Sequence, residues 1–123
     1  MSVLSPITRG LVEQLAAAPR GPRRDGLFAL WLAVRLLEEA EPTAGSVDRG
    51  FRRRVTLTEK RISSLALQPP VRRGLTATLR ALNLDPGGDR ARLFEELARA
   101  ARDAGNPDAS ALLSKAARVK SER

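Results

Sequence analysis

Basic residues are concentrated in the middle of the chain, where their side chains could bind an anion. Residues 49–80 hold nine of the 22 Lys and Arg residues and a single acidic residue, Glu59. The remaining residues hold 13 cations and 13 anions, so the whole formal charge of +8 arises in this segment. The excess of Arg over Lys is typical of a GC-rich genome, but codon bias does not explain why the charge is segregated. Guanidinium groups make bidentate contacts with phosphate, and clustered cations attract nucleic-acid backbones through counterion release.

We therefore predict a non-catalytic binding protein with a cationic face on residues 49–80, for which the backbone of DNA or RNA is the leading partner. Three consecutive arginines spread over more than half of a helix circumference, so residues 52–54 cannot all face one ligand. Residues seven apart do share a side, as Arg54 and Arg61 would, and Arg73 and Arg80 repeat this spacing. The spacing therefore predicts two basic tracks on successive helices. The alternative is a solvated basic face that binds no ligand. The candidate contacts are Arg52, Arg53, Arg54, Lys60, Arg61, Arg72, Arg73 and Arg80.

Part of the basic segment resembles a helix-turn-helix motif. Residues 57–75 follow the pattern of a helix capped by Thr58, a short turn and a second, basic helix. The resemblance implies that Arg72, Arg73 and Thr76 point toward a major groove. The interval between the two helices is one or two residues shorter than the motif requires, and no family is assigned from it.

Side chains for acid–base or metal chemistry are scarce. The chain has no His, Cys or Tyr, which removes the commonest general base and the commonest metal ligand. Glu38 and Glu41 could share a helix face, but a di-metal carboxylate bundle would also need histidines. Neither a Gly-x-x-x-x-Gly-Lys phosphate loop nor a Gly-x-Ser-x-Gly elbow occurs. We therefore expect no enzyme activity, no metal and no cofactor.

A protein partner is the competing prediction. One apolar seam in the basic segment could pack within the protein, against a second copy in a homo-oligomer, or against another protein. The terminal hairpin, residues 93–119, is distantly similar to one tetratricopeptide unit, although a single unit makes no groove. The chain would then be a helical adaptor or an accessory subunit of a larger assembly, binding an acidic protein surface. The seam comprises Phe51, Val55, Thr58, Ile62 and Leu65.

All four aromatic residues fall where the core pattern requires a large apolar group. They are Phe28, Trp31, Phe51 and Phe94. Proteins that bind single-stranded nucleic acid usually stack bases on accessible aromatic rings. Because we predict these four rings to be buried, single strands fit less well than duplexes.

Helix signals recur along the chain and strand signals are scarce, which predicts an all-α fold. We expect a compact bundle of five or six helices with short loops. The second helix is apolar on nearly every face, so we place it at the centre with Phe28 and Trp31 in the core. The predicted helices begin after Ser5, at Asp25, near Ser46, at Pro69, after Asp89 and at Pro107, and Thr58 could cap a new helix after a break near Thr56.

The acidic end of the second predicted helix is electrostatically unfavourable. Glu38, Glu39 and Glu41 oppose the helix dipole there, at a cost of a few tenths to about 1 kcal/mol. Nearby arginines could compensate, and the basic segment or a partner could dock at this end.

The length of 123 residues predicts one domain over residues 1–119, with a frayed tail at 120–123. The longest apolar run, residues 27–34, is far shorter than the roughly 20 residues that a membrane span needs. No secretory signal is visible, and no cysteine indicates an oxidising compartment. We therefore expect a cytoplasmic location.

Overall fold

Six helices make up the described part of the chain, which comprises residues 5–40 and 49–121 of a computed structural model. No strand occurs within these residues, so the predicted all-α bundle with short loops is confirmed. Over the same residues, no helix is long and apolar enough to cross a membrane. The helices are α1 (Pro6–Ala17), α2 (Pro22–Glu39), α3 (Arg49–Ser63), α4 (Pro69–Leu84), α5 (Arg90–Asp103) and α6 (Pro107–Ser121).

Side-chain caps start two of the helices where the sequence predicts them. The Ser5 hydroxyl accepts a hydrogen bond from the Thr8 amide at 3.1 Å, and Pro6 takes the first helical position of α1. Asp89 accepts from the Arg92 amide in the same way at the start of α5. Each cap satisfies a backbone donor that the first turn of a helix leaves without a partner.

The second helix begins at Pro22 rather than at the predicted Asp25. Gly21 precedes it with φ of 147°, a backbone conformation that favours glycine. Asp25 lies in the first turn of α2, where its carboxylate accepts a hydrogen bond from the Ala66 amide at 3.3 Å. Asp25 therefore joins the start of α2 to the turn after α3 instead of capping its own helix.

The third helix is continuous from Arg49 to Ser63, so the alternative of a break near Thr56 is excluded. The Thr56 hydroxyl donates to the carbonyl of Arg52 one turn earlier, so the side chain adds to the helix instead of interrupting it. Thr58 lies inside the helix rather than at a cap. The sequence pattern predicts an end at Leu67, but the helix ends four residues earlier, at Ser63. The predicted start near Ser46 lies outside the described residues.

The central position predicted for α2 is confirmed. It packs against α1, α3, α4 and α5, and Leu30, Val34 and Leu37 are fully buried within it. Such a helix needs apolar groups on most of its faces, which is the pattern that its sequence shows.

The aromatic residues divide into two pairs: the predicted burial is confirmed for Phe51 and Phe94 and is wrong for Phe28 and Trp31. Phe51 and Phe94 belong to the core, with 1% and 0% exposure. Phe28 and Trp31 are only partly buried, because the neighbouring helices leave one side of α2 incompletely covered. The two rings stack on each other there, with centroids 5.9 Å apart.

The acidic end of α2 is compensated by the surrounding structure. Arg90 is buried and donates to the carbonyl of Ala40, which caps the C-terminus of α2. A cation at this position is favourable for the helix dipole. The Glu38 carboxylate accepts hydrogen bonds from the hydroxyls of Ser5 and Thr8, at 2.9 and 2.6 Å. Glu41 lies outside the described residues.

The last helix continues through Ser121, two residues beyond the end predicted at 119. Lys120 therefore belongs to α6, and its ammonium lies 6.0 Å from the centroid of the Phe94 ring. The predicted tail is helical as far as the structure describes it.

Leu30 and Leu84 provide a matched test of this core. Leu30→Ala removes a fully buried side chain of α2 and should lower the free energy of unfolding by about 2–5 kcal/mol. Leu84→Ala, at an 83% exposed position, should change it by less than about 0.5 kcal/mol. Urea unfolding followed by circular dichroism measures both. Equal losses in the two variants would contradict the assigned core.

Candidate nucleic-acid interface

The outer side of α3 carries two exposed cations. Phe51, Val55 and Ile62 are buried and define the inner side of this helix. With about 3.6 residues per turn, Arg53 and Lys60 lie on the opposite side, and both are exposed. Neither makes an ion pair within the described residues. These two side chains form the basic track of α3. The sequence spacing predicts this track at Arg54 and Arg61 instead.

Arg54 and Arg61 instead face α2. Arg54 forms an ion pair with Glu39 at the end of that helix. The Arg61 guanidinium carbon lies 5.5 Å from the centroid of the Phe28 ring, near the start of α2. Because residue 54 meets residue 39 and residue 61 meets residue 28, the two helices run antiparallel. The acidic end of α2 thus docks on the basic segment.

Arg72 stabilises the turn between α3 and α4. It is partly buried, and its Nη2 donates to the carbonyl of Leu65 at 3.0 Å and to that of Leu67 at 3.4 Å. This geometry corrects the expectation that Arg72 points outward. The helix-turn-helix resemblance is weakened, because Thr76 is also partly buried and Arg73 is the one exposed member of its predicted reading set.

The predicted track on α4 is present. Arg73 and Arg80 lie opposite the buried Val71 and Leu75, and both are exposed. Arg80 pairs with Glu59 of α3 at 3.1 Å, but its side chain stays 70% exposed. Ion pairs at such exposed sites contribute about 0–1 kcal/mol, so a phosphate could replace this carboxylate. Arg73 makes no ion pair within the part of the chain that the structure describes.

Six of the eight predicted contacts are exposed, and five of them, all except Arg61, form one set on α3 and α4. Arg52 joins them, since it is exposed and has no ion pair among the described residues. Arg54 and Arg72 hold neighbouring elements together, and Arg61 does so while remaining exposed. We call the other five side chains, Arg52, Arg53, Lys60, Arg73 and Arg80, the α3–α4 cationic face.

Sequence reasoning missed a patch on α2 next to this face. The Arg35 guanidinium carbon lies 4.8 Å from the centroid of the Trp31 ring, as Arg61 lies over Phe28. The spacing of Trp31 and Arg35, one helical turn apart, was a usable signal. The apolar pattern of α2 predicts both aromatic residues in the core, and this prediction hides the signal. We call Phe28, Trp31, Arg35 and Arg61 the aromatic–arginine patch.

A second basic surface lies between α5 and α6. A shallow groove of about 400 Å³ is lined there by three arginines and two serines. One of the arginines, Arg99, is 3.7 Å from Glu96, and Glu95 also lines the groove. Residues 90–121 contain four carboxylates among seven cations, so the charge is better balanced than on α3 and α4. The groove arginines are Arg99, Arg102 and Arg118.

Comparison with known proteins assigns no family. The chain matches no protein-family model, no curated protein and no solved structure. Among residues 5–40 and 49–121, no cluster of three or more acidic side chains could hold a metal ion.

Arg72 and Arg73 are adjacent residues with different predicted roles. Arg72→Met leaves the carbonyls of Leu65 and Leu67 without this donor and should lower the free energy of unfolding by about 1–3 kcal/mol. Arg73→Met alters an exposed side chain and should change it by less than about 0.5 kcal/mol. Chemical denaturation of the two variants measures the difference. A stable Arg72→Met protein would show that the turn does not depend on this side chain.

Proposed function

We propose that the protein binds the phosphate backbone of nucleic acid, without catalysing a reaction, through the α3–α4 cationic face. One observation carries the proposal: Arg52, Arg53, Lys60 and Arg73 are exposed and have no ion pair within the described residues. The one carboxylate between residues 49 and 80, Glu59, is already engaged with Arg80. The positive charge is therefore not neutralised within the face.

The spacing of these cations suits a polyanion. Arg53 and Lys60 are about 10 Å apart along the axis of α3, a length that spans roughly three phosphates of one strand. Their long side chains can adjust to the backbone, and neither has to break a contact first. Binding of this kind depends on phosphate geometry and on counterion release, so it should show little preference for base sequence.

Leu57 favours a second candidate, which is an acidic protein surface. Its side chain is 53% exposed on the outer side of α3. An exposed leucine surrounded by cations is suited to a protein segment that combines carboxylates with an apolar side chain. The surrounding cations, each one helical turn from Leu57, are Arg53, Arg54, Lys60 and Arg61.

Removing three cations of the face tests the first candidate. In the variant with Arg53, Lys60 and Arg73 changed to Ala, affinity for duplex DNA should fall by at least about tenfold. The slope of log K against log salt should become shallower by about three units, since each lost phosphate contact removes close to one. Fluorescence anisotropy of a labelled duplex between about 50 and 200 mM salt measures both quantities.

The control variant changes Arg99, Arg102 and Arg118 to Ala, which removes the same charge from the α5–α6 groove. Its affinity for duplex should fall much less. Absence of binding at low salt, or equal losses in the two triple variants, would overturn the proposal. Polyglutamate supplies negative charge without phosphates. The acidic protein surface would be favoured if the protein bound polyglutamate as tightly as DNA and if Leu57→Ser weakened its affinity for polyglutamate.

A further inference from the structure

The two rings of the aromatic–arginine patch differ from ordinary core aromatics. Phe28 and Trp31 are stacked with an interplanar angle of 25°, and both remain partly exposed. The Trp31 indole nitrogen is shielded from solvent and has no hydrogen-bond partner within the described residues. A structural tryptophan usually finds such a partner when it is buried. The packing around Trp31 is therefore not fully optimised for stability.

The patch is continuous with the cations of α3. Arg61 belongs to the patch, and the exposed Leu57 lies one helical turn from both Arg61 and Lys60, so exposed side chains join the patch to the α3–α4 cationic face. The contacts from Arg61 to Phe28 and from Arg54 to Glu39 hold α3 along α2 on this side. A strand whose phosphates lie on α3 would thus pass beside the patch.

The chemistry of the patch suits an unpaired base. Nucleobases stack on aromatic rings and also on the planes of Arg guanidinium groups. Arg35 and Arg61 are both exposed, so a base could stack on a guanidinium that already lies over a ring. In a duplex the faces of each base are covered by its neighbours, and exposing them costs stacking energy.

We infer that the protein prefers single-stranded over duplex nucleic acid and stacks an unpaired base on the aromatic–arginine patch. The inference rests on the proposed function, because α3 must hold the phosphates of the strand. It reverses the preference for duplexes that was expected when all four aromatic residues were placed in the core. Sequence recognition is not required, since every base offers a flat face.

Three probes of equal length separate base stacking from charge. They are a short oligothymidylate, an abasic single strand with the same phosphates but no bases, and a duplex. Trp31 is the one tryptophan of the chain, so its fluorescence reports directly on the patch. We expect oligothymidylate to quench Trp31 and to bind at least about fivefold more tightly than the abasic strand. We also expect it to bind more tightly than the duplex.

Two variants test the patch itself. In Arg35→Ala and in Trp31→Leu, the ratio of the thymidylate and abasic affinities should fall toward one. Because both strands carry the same phosphates, the loss of one positive charge should weaken both affinities by the same factor and leave their ratio unchanged. Arg102→Ala, an exposed position on α5, should leave the ratio at the wild-type value. Arg35 is exposed, so its variant keeps the test valid if Trp31→Leu fails to fold.

The outcomes distinguish this inference from the proposed function. Equal affinity for thymidylate and abasic strands, with Trp31 fluorescence unchanged and duplex binding intact, would overturn the inference and leave backbone binding standing. Failure of every strand to bind at low salt would overturn both.

Discussion

The antiparallel pairing of α3 with α2 is the interaction on which the proposed binding surface depends. It uses two of the predicted contact residues, since Arg54 pairs with Glu39 and Arg61 lies over Phe28. With that side of α3 occupied and Phe51 turned inward, Arg53 and Lys60 are left facing solvent. The same pairing places Arg61 over a partly exposed ring, so the cations of α3 and the aromatic side of α2 form one continuous surface. The fold and the proposed binding surface are therefore linked through a single helix interface.

The second constraint is the scarcity of carboxylates near these cations. Glu59 is the one acidic residue between positions 49 and 80, and it engages Arg80. Cations that have no carboxylate partner among the described residues keep a positive field at the surface, and that field favours a polyanionic partner. On α5 and α6 more carboxylates accompany the arginines, so the groove there is less suited to bind a polyanion. The distribution of acids, more than the number of arginines, distinguishes the two surfaces.

Helix positions were largely predictable, whereas the roles of individual arginines were not. Apolar periodicity and the caps at Ser5 and Asp89 predict most helix starts, because these signals act within one or two turns. The sequence pattern cannot show that the carbonyls of the turn need a donor, and Arg72 supplies it. Nor can it show which side of an apolar helix stays open. This is why Phe28 and Trp31 were wrongly placed in the core, and why the patch beside them was missed.

We propose that phosphates bind to α3 and α4 on the side that faces solvent. Amide chemical-shift mapping by NMR, during titration with a short single strand, locates the bound phosphates residue by residue. We expect perturbations along the exposed side of α3, around Arg73 of α4 and around Arg35 of α2, with α5 and α6 unaffected. Perturbations confined to the α5–α6 groove, or spread evenly over all six helices, would contradict it.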